Sequence, residues 1–189
     1  MKIFVTRHGQ TKWNALGKLQ GRQDIELNEI GKKQALIVGE KIKNEEIDII
    51  ITSPLKRAKE TAEIINKKLN VEIVEDNRLI ERCYGDFEGI IKEELKEIKI
   101  QYPEIDEACN YSKNLEVFNM ETMQDLCTRI YECLDEIISK YNGKNVLIVT
   151  HGSASIPVKC YFLKYPLENL VDREKIKGLE NCEVIKFEI

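Results

Sequence analysis

The order and make-up of the apolar runs constrain this chain most. Val146-Leu147-Ile148-Val149 is apolar at every position, so a strand there has no polar face to give to water and must be covered on both sides. Ile47–Thr52 is a second apolar run of strand length, rich in isoleucine, and Ile3-Phe4-Val5 is a shorter third. Val71–Val74 and Glu183–Ile189 read as further strands. Helical periods lie between these runs. Asn28–Lys43 carries a stripe of Ile30, Ala35, Leu36, Val38 and Ile42, and Glu121–Tyr141 repeats Met123, Leu126, Cys127, Ile130, Leu134, Ile137 and Ile138. Ser53-Pro54 opens a helix that reaches about Leu69, with Ser53 as N-cap and Pro54 at the first helical position. Asn142-Gly143 closes the Glu121–Tyr141 helix. A short helix is expected near Lys92–Ile100, stopped by Pro103, and another after His151-Gly152. Strands alternating with helices imply an α/β fold: a three-layer sandwich whose mostly parallel central sheet is flanked by helices.

The 189 residues suit one domain over 1–189, with 76–120 a less regular excursion that covers one side of the site. A net charge of −4 does not supply the broad basic face of a nucleic-acid binder, although a few local arginines can still hold a small anion. No run of 18 apolar residues predicts a membrane span. The start, Met1 to His8, is too short an apolar stretch for a signal peptide, and a cytoplasmic location is expected. Cys83, Cys109, Cys127, Cys133, Cys160 and Cys182 form no C-x-x-C pair, so they read as reduced structural thiols. With two histidines and scattered cysteines, no metal site is expected.

Both histidines sit in matched places. His8 follows Ile3-Phe4-Val5, His151 follows Val146–Val149, and each precedes a glycine. Ligands of open α/β sheets bind outside the carboxyl ends of the strands, so the two rings could face each other there, with Gly9 and Gly152 letting backbone approach a ligand. Either histidine alone would be read as a loop residue. Arg7 directly precedes His8, and Arg57 lies in the first turns of the helix after the Ile47–Thr52 run. Flanked by Lys56 and Lys59, Arg57 alone would be read as a solvated helix residue. A guanidinium forks onto two phosphate oxygens, where lysine offers a point charge. Arg7, His8, Arg57 and His151 together are a plausible cradle for a tetrahedral dianion. Glu81, after the Val71–Val74 strand, is the candidate proton carrier.

These segments resemble the histidine phosphatase superfamily, which includes the cofactor-dependent phosphoglycerate mutases. The resemblance rests on Thr6-Arg7-His8-Gly9-Gln10-Thr11 with Asn14, on Gln20-Gly21 with Asp24 and Leu27, and on Leu27–Ala35. It continues through Ser53–Ala62, Leu79-Ile80-Glu81 with Tyr84–Gly89, and Thr150-His151-Gly152. The resemblance implies a phosphoglycerate mutase-like fold and a phosphoryl group carried on His8. It implies that Arg7, Arg57 and His151 hold the phosphoryl oxygens, that Asn14 contacts them, and that Gln20, Gly21 and Gly152 line the phosphate site. Glu81 is implied as proton donor to the leaving oxygen and then helper of the attacking water, with no metal and no cofactor. His8 must be neutral to attack, His151 is expected to serve better protonated, and Glu81 is expected to be partly buried.

The small phosphatase branch fits best, with a small phosphorylated metabolite as partner. The mutase branch grips the far end of its substrate with paired arginines, and Gly85–Met120 contains none; Arg82 beside Glu81 is a feature mutases share. An α-ribazole phosphatase, or a catalytically inactive phosphate-binding module, are the alternatives. Pocket walls are expected from 85–120, including Tyr102, Tyr111, Phe118 and Met120, and from Ser153 and Ser155. Oligomeric state is not legible.

Overall fold

The computed structural model describes residues 1–101, 118–167 and 176–189. Tyr102, Pro103, Cys109, Tyr111 and Lys113 therefore lie outside the described residues. The chain order is β1 (Lys2–Arg7), α1 (Lys12–Ala15), α2 (Glu29–Ile42), β2 (Ile49–Thr52), α3 (Lys56–Leu69), β3 (Glu72–Glu75), α4 (Lys92–Gln101), α5 (Met123–Lys140), β4 (Val146–Thr150), α6 (Ser155–Leu163) and β5 (Val184–Glu188). Single 3-10 turns occupy Asn77–Leu79 and Gly85–Phe87. The five strands form one sheet in the order β3-β2-β4-β1-β5. The first four are parallel and β5 pairs antiparallel with β1 at the edge.

Every residue of β2 and β4 is buried, as their uninterrupted apolar composition requires. Alternate residues point to opposite faces. Ile3, Val5, Ile49, Ile51, Val146 and Ile148 meet Leu126, Ile130, Leu134 and Ile137 of α5 and Val158 of α6. Phe4, Ile50, Leu147 and Val149 meet Ala35, Val38 and Ile42 of α2 and Ala58, Ala62 and Ile65 of α3. Helices on both faces make three layers. Truncating one such isoleucine or leucine to alanine costs about 2–5 kcal/mol. Among the described residues no helix is long and apolar enough to cross a membrane.

Two local expectations need correction. Ile30 and Leu36 are exposed, at 55% and 43%. The buried side of α2 is Gly31, Ala35, Val38, Gly39 and Ile42. Here the helix meets its neighbours through glycine backbone: a Cβ on Gly31 would strike the main chain of Gln10, and one on Gly39 would lie 3.2 Å from the Ile65 carbonyl oxygen. Counting apolar side chains cannot see a face built from missing ones. Ser53 is not the cap of α3 either. That helix starts at Lys56, and Leu55 at its N-cap offers no side-chain bond. The Lys56 N–H is instead met by Asp24 Oδ1 at 2.7 Å, a cap delivered from 32 residues away.

Candidate active site

Strand register builds the site. Arg7 pairs with Thr150 and Thr52 with Val149, so His8, Ser53 and His151 leave three neighbouring strands at one level of the carboxyl edge. The His8 N–H completes the ladder by donating to the Thr150 carbonyl at 3.0 Å, and the Ser53 N–H does the same to Val149. The two imidazole centroids lie 5.2 Å apart. Gly9 serves this placement by packing rather than by approaching a ligand. A Cβ there would come within 2.5 Å of the Gly31 carbonyl oxygen, so the turn after β1 seats against the first turn of α2 only without one.

His8 is buried, and its Nδ1 lies 2.7 Å from the Gly9 carbonyl oxygen. A carbonyl only accepts, so Nδ1 is assigned the proton and Nε2 keeps its lone pair. The Arg57 Nε–H donates to Nε2 at 3.2 Å, which agrees with that tautomer. Burial, and then the charges of Arg57 and Arg7, hold the pKa of His8 well below its ordinary value. The ring is neutral, as a nucleophile must be.

Arg57 is fully buried, not a solvated helix residue. Its Nη1 donates to the Gln23 carbonyl at 2.6 Å and its Nη2 to the Gly21 carbonyl at 2.7 Å. Three of its five N–H groups are thus engaged, and two remain. Burial pulls its pKa down to about 10, so the cation persists at neutral pH. Arg7 donates from Nη1 to the Leu179 carbonyl at 3.0 Å. Gly152 lies along its guanidinium, where an added Cβ would stand 3.4 Å from Cζ.

His151 is buried, with Nε2 2.7 Å from Ser53 Oγ. The Leu55 N–H donates to the same oxygen at 3.3 Å. A hydroxyl that accepts there and donates to Nε2 leaves the imidazole proton on Nδ1. Burial, then Arg57, His8 and Arg7, hold the pKa of His151 well below its ordinary value. In the ligand-free site His151 is therefore neutral: two guanidiniums near a buried ring disfavour a third charge. Among the described residues, two buried side-chain nitrogens have no hydrogen-bond partner: Arg7 Nε and His151 Nδ1. Buried donors of this kind are rare and costly, and here both belong to the cradle named from the sequence.

Glu81 is 8% exposed, as expected. Its Oε1 accepts from the N–H groups of Arg82 at 2.9 Å and Ala154 at 3.0 Å, and its Oε2 from that of Ser153 at 3.2 Å. Oε2, with one bond, is the oxygen with room for a proton. Asn14 Oδ1 accepts from the Thr11 N–H at 3.1 Å and from the Asn181 amide at 3.4 Å, which leaves its own amide NH2 to a ligand. Gln20 has its side-chain oxygen fixed by the Thr11 hydroxyl, which donates to it at 2.9 Å.

Arg7, His8, Asn14, Gln20, Gly21, Arg57, Glu81 and Gly152 all line one cavity of about 320 Å³. His151 stands behind His8 rather than on the lining. The outer wall meets expectation at Ser153 and departs from it at Ser155. Ser153 and Tyr84 line it, joined by a 2.5 Å bond between their hydroxyls. Ser155 does not: its hydroxyl is buried and bridges the Gly152 carbonyl and the Leu179 N–H. Phe118 packs on Phe87 with centroids 5.3 Å apart. Lys18, Leu19, Ile156 and the 176–180 segment complete the wall. Nothing in the local sequence marked 176–180, because it reaches the cavity only by the return of β5 beside β1.

Comparison with known proteins shows what the chain is similar to. Over 152 residues the chain is 45% identical to the uncharacterized phosphatase PhoE of Bacillus subtilis, covering 80% of this chain and 72% of that one. It is 30% identical over 163 residues to phosphoserine phosphatase 1 of Hydrogenobacter thermophilus, covering 86% and 74%. The solved structure of Bacillus stearothermophilus YhfR superposes with a TM-score of 0.85 at 32% identity, over 100% of this chain and 91% of that one. The family model for the histidine phosphatase superfamily (branch 1) matches residues 3–189. With that match and the site already described, the chain belongs to the histidine phosphatase superfamily, branch 1, and is a phosphatase.

Proposed function

We propose that the protein hydrolyses a small phosphomonoester, without a metal, through a phosphohistidine on His8. The observation that carries the reading is the setting of His8, which lines one cavity with Arg7, Arg57 and Glu81: its Nδ1 is tied to the Gly9 carbonyl, and its Nε2 lone pair is held by the Arg57 Nε–H, which passes to a phosphoryl oxygen as Nε2 attacks. Nε2 attacks phosphorus while the bond to the leaving oxygen breaks, and Glu81 gives that oxygen its proton. Water then attacks phosphorus and passes a proton to the Glu81 carboxylate, while the phosphorus–nitrogen bond breaks and returns its electron pair to His8 Nε2, releasing phosphate. Splitting the displacement in two lowers each barrier. The equatorial oxygens carry the charge of the transition state, and fixed donors stabilise it. The free donors are Arg7 Nε, the two remaining N–H groups of Arg57, the Asn14 amide, and His151 Nδ1. A neutral His151 in its assigned tautomer already donates one bond, and a bound dianion would raise its pKa from that lowered value.

Supplying that charge with guanidiniums rather than a metal ion suits metal-independence, and one relative at 38% identity is named a metal-independent phosphoserine phosphatase. A phosphoserine phosphatase mutant from Entamoeba histolytica, solved with phosphoserine, has a TM-score of 0.82 at 28% identity. Phosphorylated amino acids therefore join sugar phosphates and α-ribazole phosphate as substrates to screen. The described cysteines are unpaired thiols, which suits a reducing cytoplasm. A relative named probable phosphoglycerate mutase GpmB, of Yersinia pestis, is 32% identical over 188 residues, which keeps the mutase as the alternative; against it, Arg82 is buried with Nε on the Glu121 carbonyl at 2.9 Å and is not on the cavity lining. The test compares phosphate release from monoesters with bisphosphoglycerate-dependent interconversion of phosphoglycerates, in wild type and His8→Ala. Phosphate release and an acid-labile phosphoenzyme, both lost in the variant, are expected. Mutase turnover that outruns release would overturn the choice, and binding without turnover would indicate an inactive module.

A further inference from the structure

Glu81 sits on a stretch with no ladder of its own. The four carbonyls from Arg78 to Glu81 need partners, and two side chains supply all of them. The Thr150 hydroxyl donates to Leu79 at 2.9 Å. Arg129 of α5 serves the other three. Its Nη1 donates to Arg78 at 2.5 Å and to Ile80 at 2.9 Å, and its Nη2 to Glu81 at 3.2 Å. The two remaining N–H groups, on Nε and Nη2, fork onto the Glu121 carboxylate at 2.7 and 2.9 Å. All five donors are used. No other side chain type could replace this set, because lysine has three donors from one atom.

Glu121 extends the frame. Its Oε2 also accepts from the Cys83 N–H at 3.2 Å, and its main chain pairs with Cys83 and accepts from Arg82 Nε. Its Oε1 lies 3.2 Å from Arg22 Nη2, between Gly21 and Gln23, whose carbonyls hold Arg57. Arg129 and Glu121 are 16% and 9% exposed at their side chains, and neither lines the cavity. We propose that Arg129, with Glu121 as its counter-ion, is the positioning residue that sets the Glu81 carboxyl against the leaving oxygen. The proposal rests on the reading of Glu81 as proton donor. The N–H groups of Arg82, Ser153 and Ala154 aim the carboxyl, while Arg129 fixes the main chain from which it reaches.

A misplaced acid harms only those substrates whose leaving oxygen needs a proton. The experiment measures kcat/KM, which reports the steps up to the phosphoenzyme, for 4-nitrophenyl phosphate and for an alkyl phosphate. Arg129→Lys is expected to lower the alkyl value roughly 10–100-fold, part of the ~10²–10⁴ that general acid catalysis supplies. The nitrophenyl value should stay within about threefold, since that leaving group departs as an anion. Glu121→Gln, which keeps the side-chain shape, should show the same split at several-fold. Equal loss with both substrates, or none, in Arg129→Lys overturns the proposal. If Arg129→Lys fails to fold by circular dichroism, Glu121→Gln decides it by the same criterion. Glu81→Gln separates the two readings. A split there without one in Arg129→Lys sinks the positioning role alone; no split in Glu81→Gln sinks the acid, and the positioning role with it.

Discussion

Arg57 joins the charge of the site to its framework. It donates to His8 Nε2 and to the carbonyls of Gly21 and Gln23, so it holds the nucleophile and the loop beside it in one rigid fork. Arg57→Lys keeps the charge and loses the fork. Turnover should fall by about 10²–10³, the loss typical of one oxyanion donor, even though net charge is unchanged. Steady-state kinetics checks this, and retention of more than a tenth of wild-type kcat would mean charge alone suffices. Ser53 acts more quietly, by fixing where the proton of His151 sits. Ser53→Ala removes two hydrogen bonds, the one to His151 Nε2 and the one from the Leu55 N–H, each worth ~1 kcal/mol. It also lets the proton move to Nε2, away from the phosphoryl side. A drop of roughly tenfold in kcat is expected, with melting temperature lower by about 2–4 °C per kcal/mol lost. A stability loss with normal kcat would make Ser53 a packing residue only.

At the scale of elements, the long-range cap on α3 carries a prediction of its own. Asp24 Oδ1 meets the first free N–H of the helix that bears Arg57. Asp24→Ala should lower stability by about 0.5–2 kcal/mol, the range for a lost cap, and Asp24→Asn should recover most of it. Denaturant unfolding of the three proteins is the check. The same element shows what a sequence can and cannot display. Strands, helices and their order were legible because each rests on a local period: β2 and β4 on unbroken apolar runs, α5 on its seven-residue recurrence. The cap of α3 was misassigned to Ser53 because an adjacent serine is the local signal, while the true partner is brought by the fold. The buried face of α2 was misplaced for a related reason, since its glycines leave no apolar mark. Within the site, Arg7, His8, Arg57 and His151 were legible because each stands at a strand end that the register brings to one edge. Arg129 was not, because its partners are main-chain carbonyls, which every residue possesses.

At the scale of the molecule, the site sets how stability responds to pH. The chain has two histidines, and both lie in this one cluster with pKa values held well below ordinary. An unfolded histidine takes up its proton as pH falls through about 6.5. The folded rings stay neutral until lower pH, because burial and the two guanidiniums oppose a further charge. Between those limits the unfolded state binds more protons than the folded one, so stability is fully present above pH 6.5 and is lost as pH falls below it. Each ring contributes at most about 1.4 kcal/mol per pH unit to that slope. Ordinary carboxylates enter only near pH 4–4.5, so the window from 5 to 6.5 belongs to the two histidines. Urea unfolding at pH 7.5, 6.5 and 5.5 should therefore show a plateau and then a decline. Replacing His8 or His151 singly by glutamine should halve the decline, and replacing both should abolish it. A wild type equally stable at pH 7.5 and 5.5 would show that the rings protonate within the folded protein, and the neutral nucleophile inferred for the acidic range would fall with it.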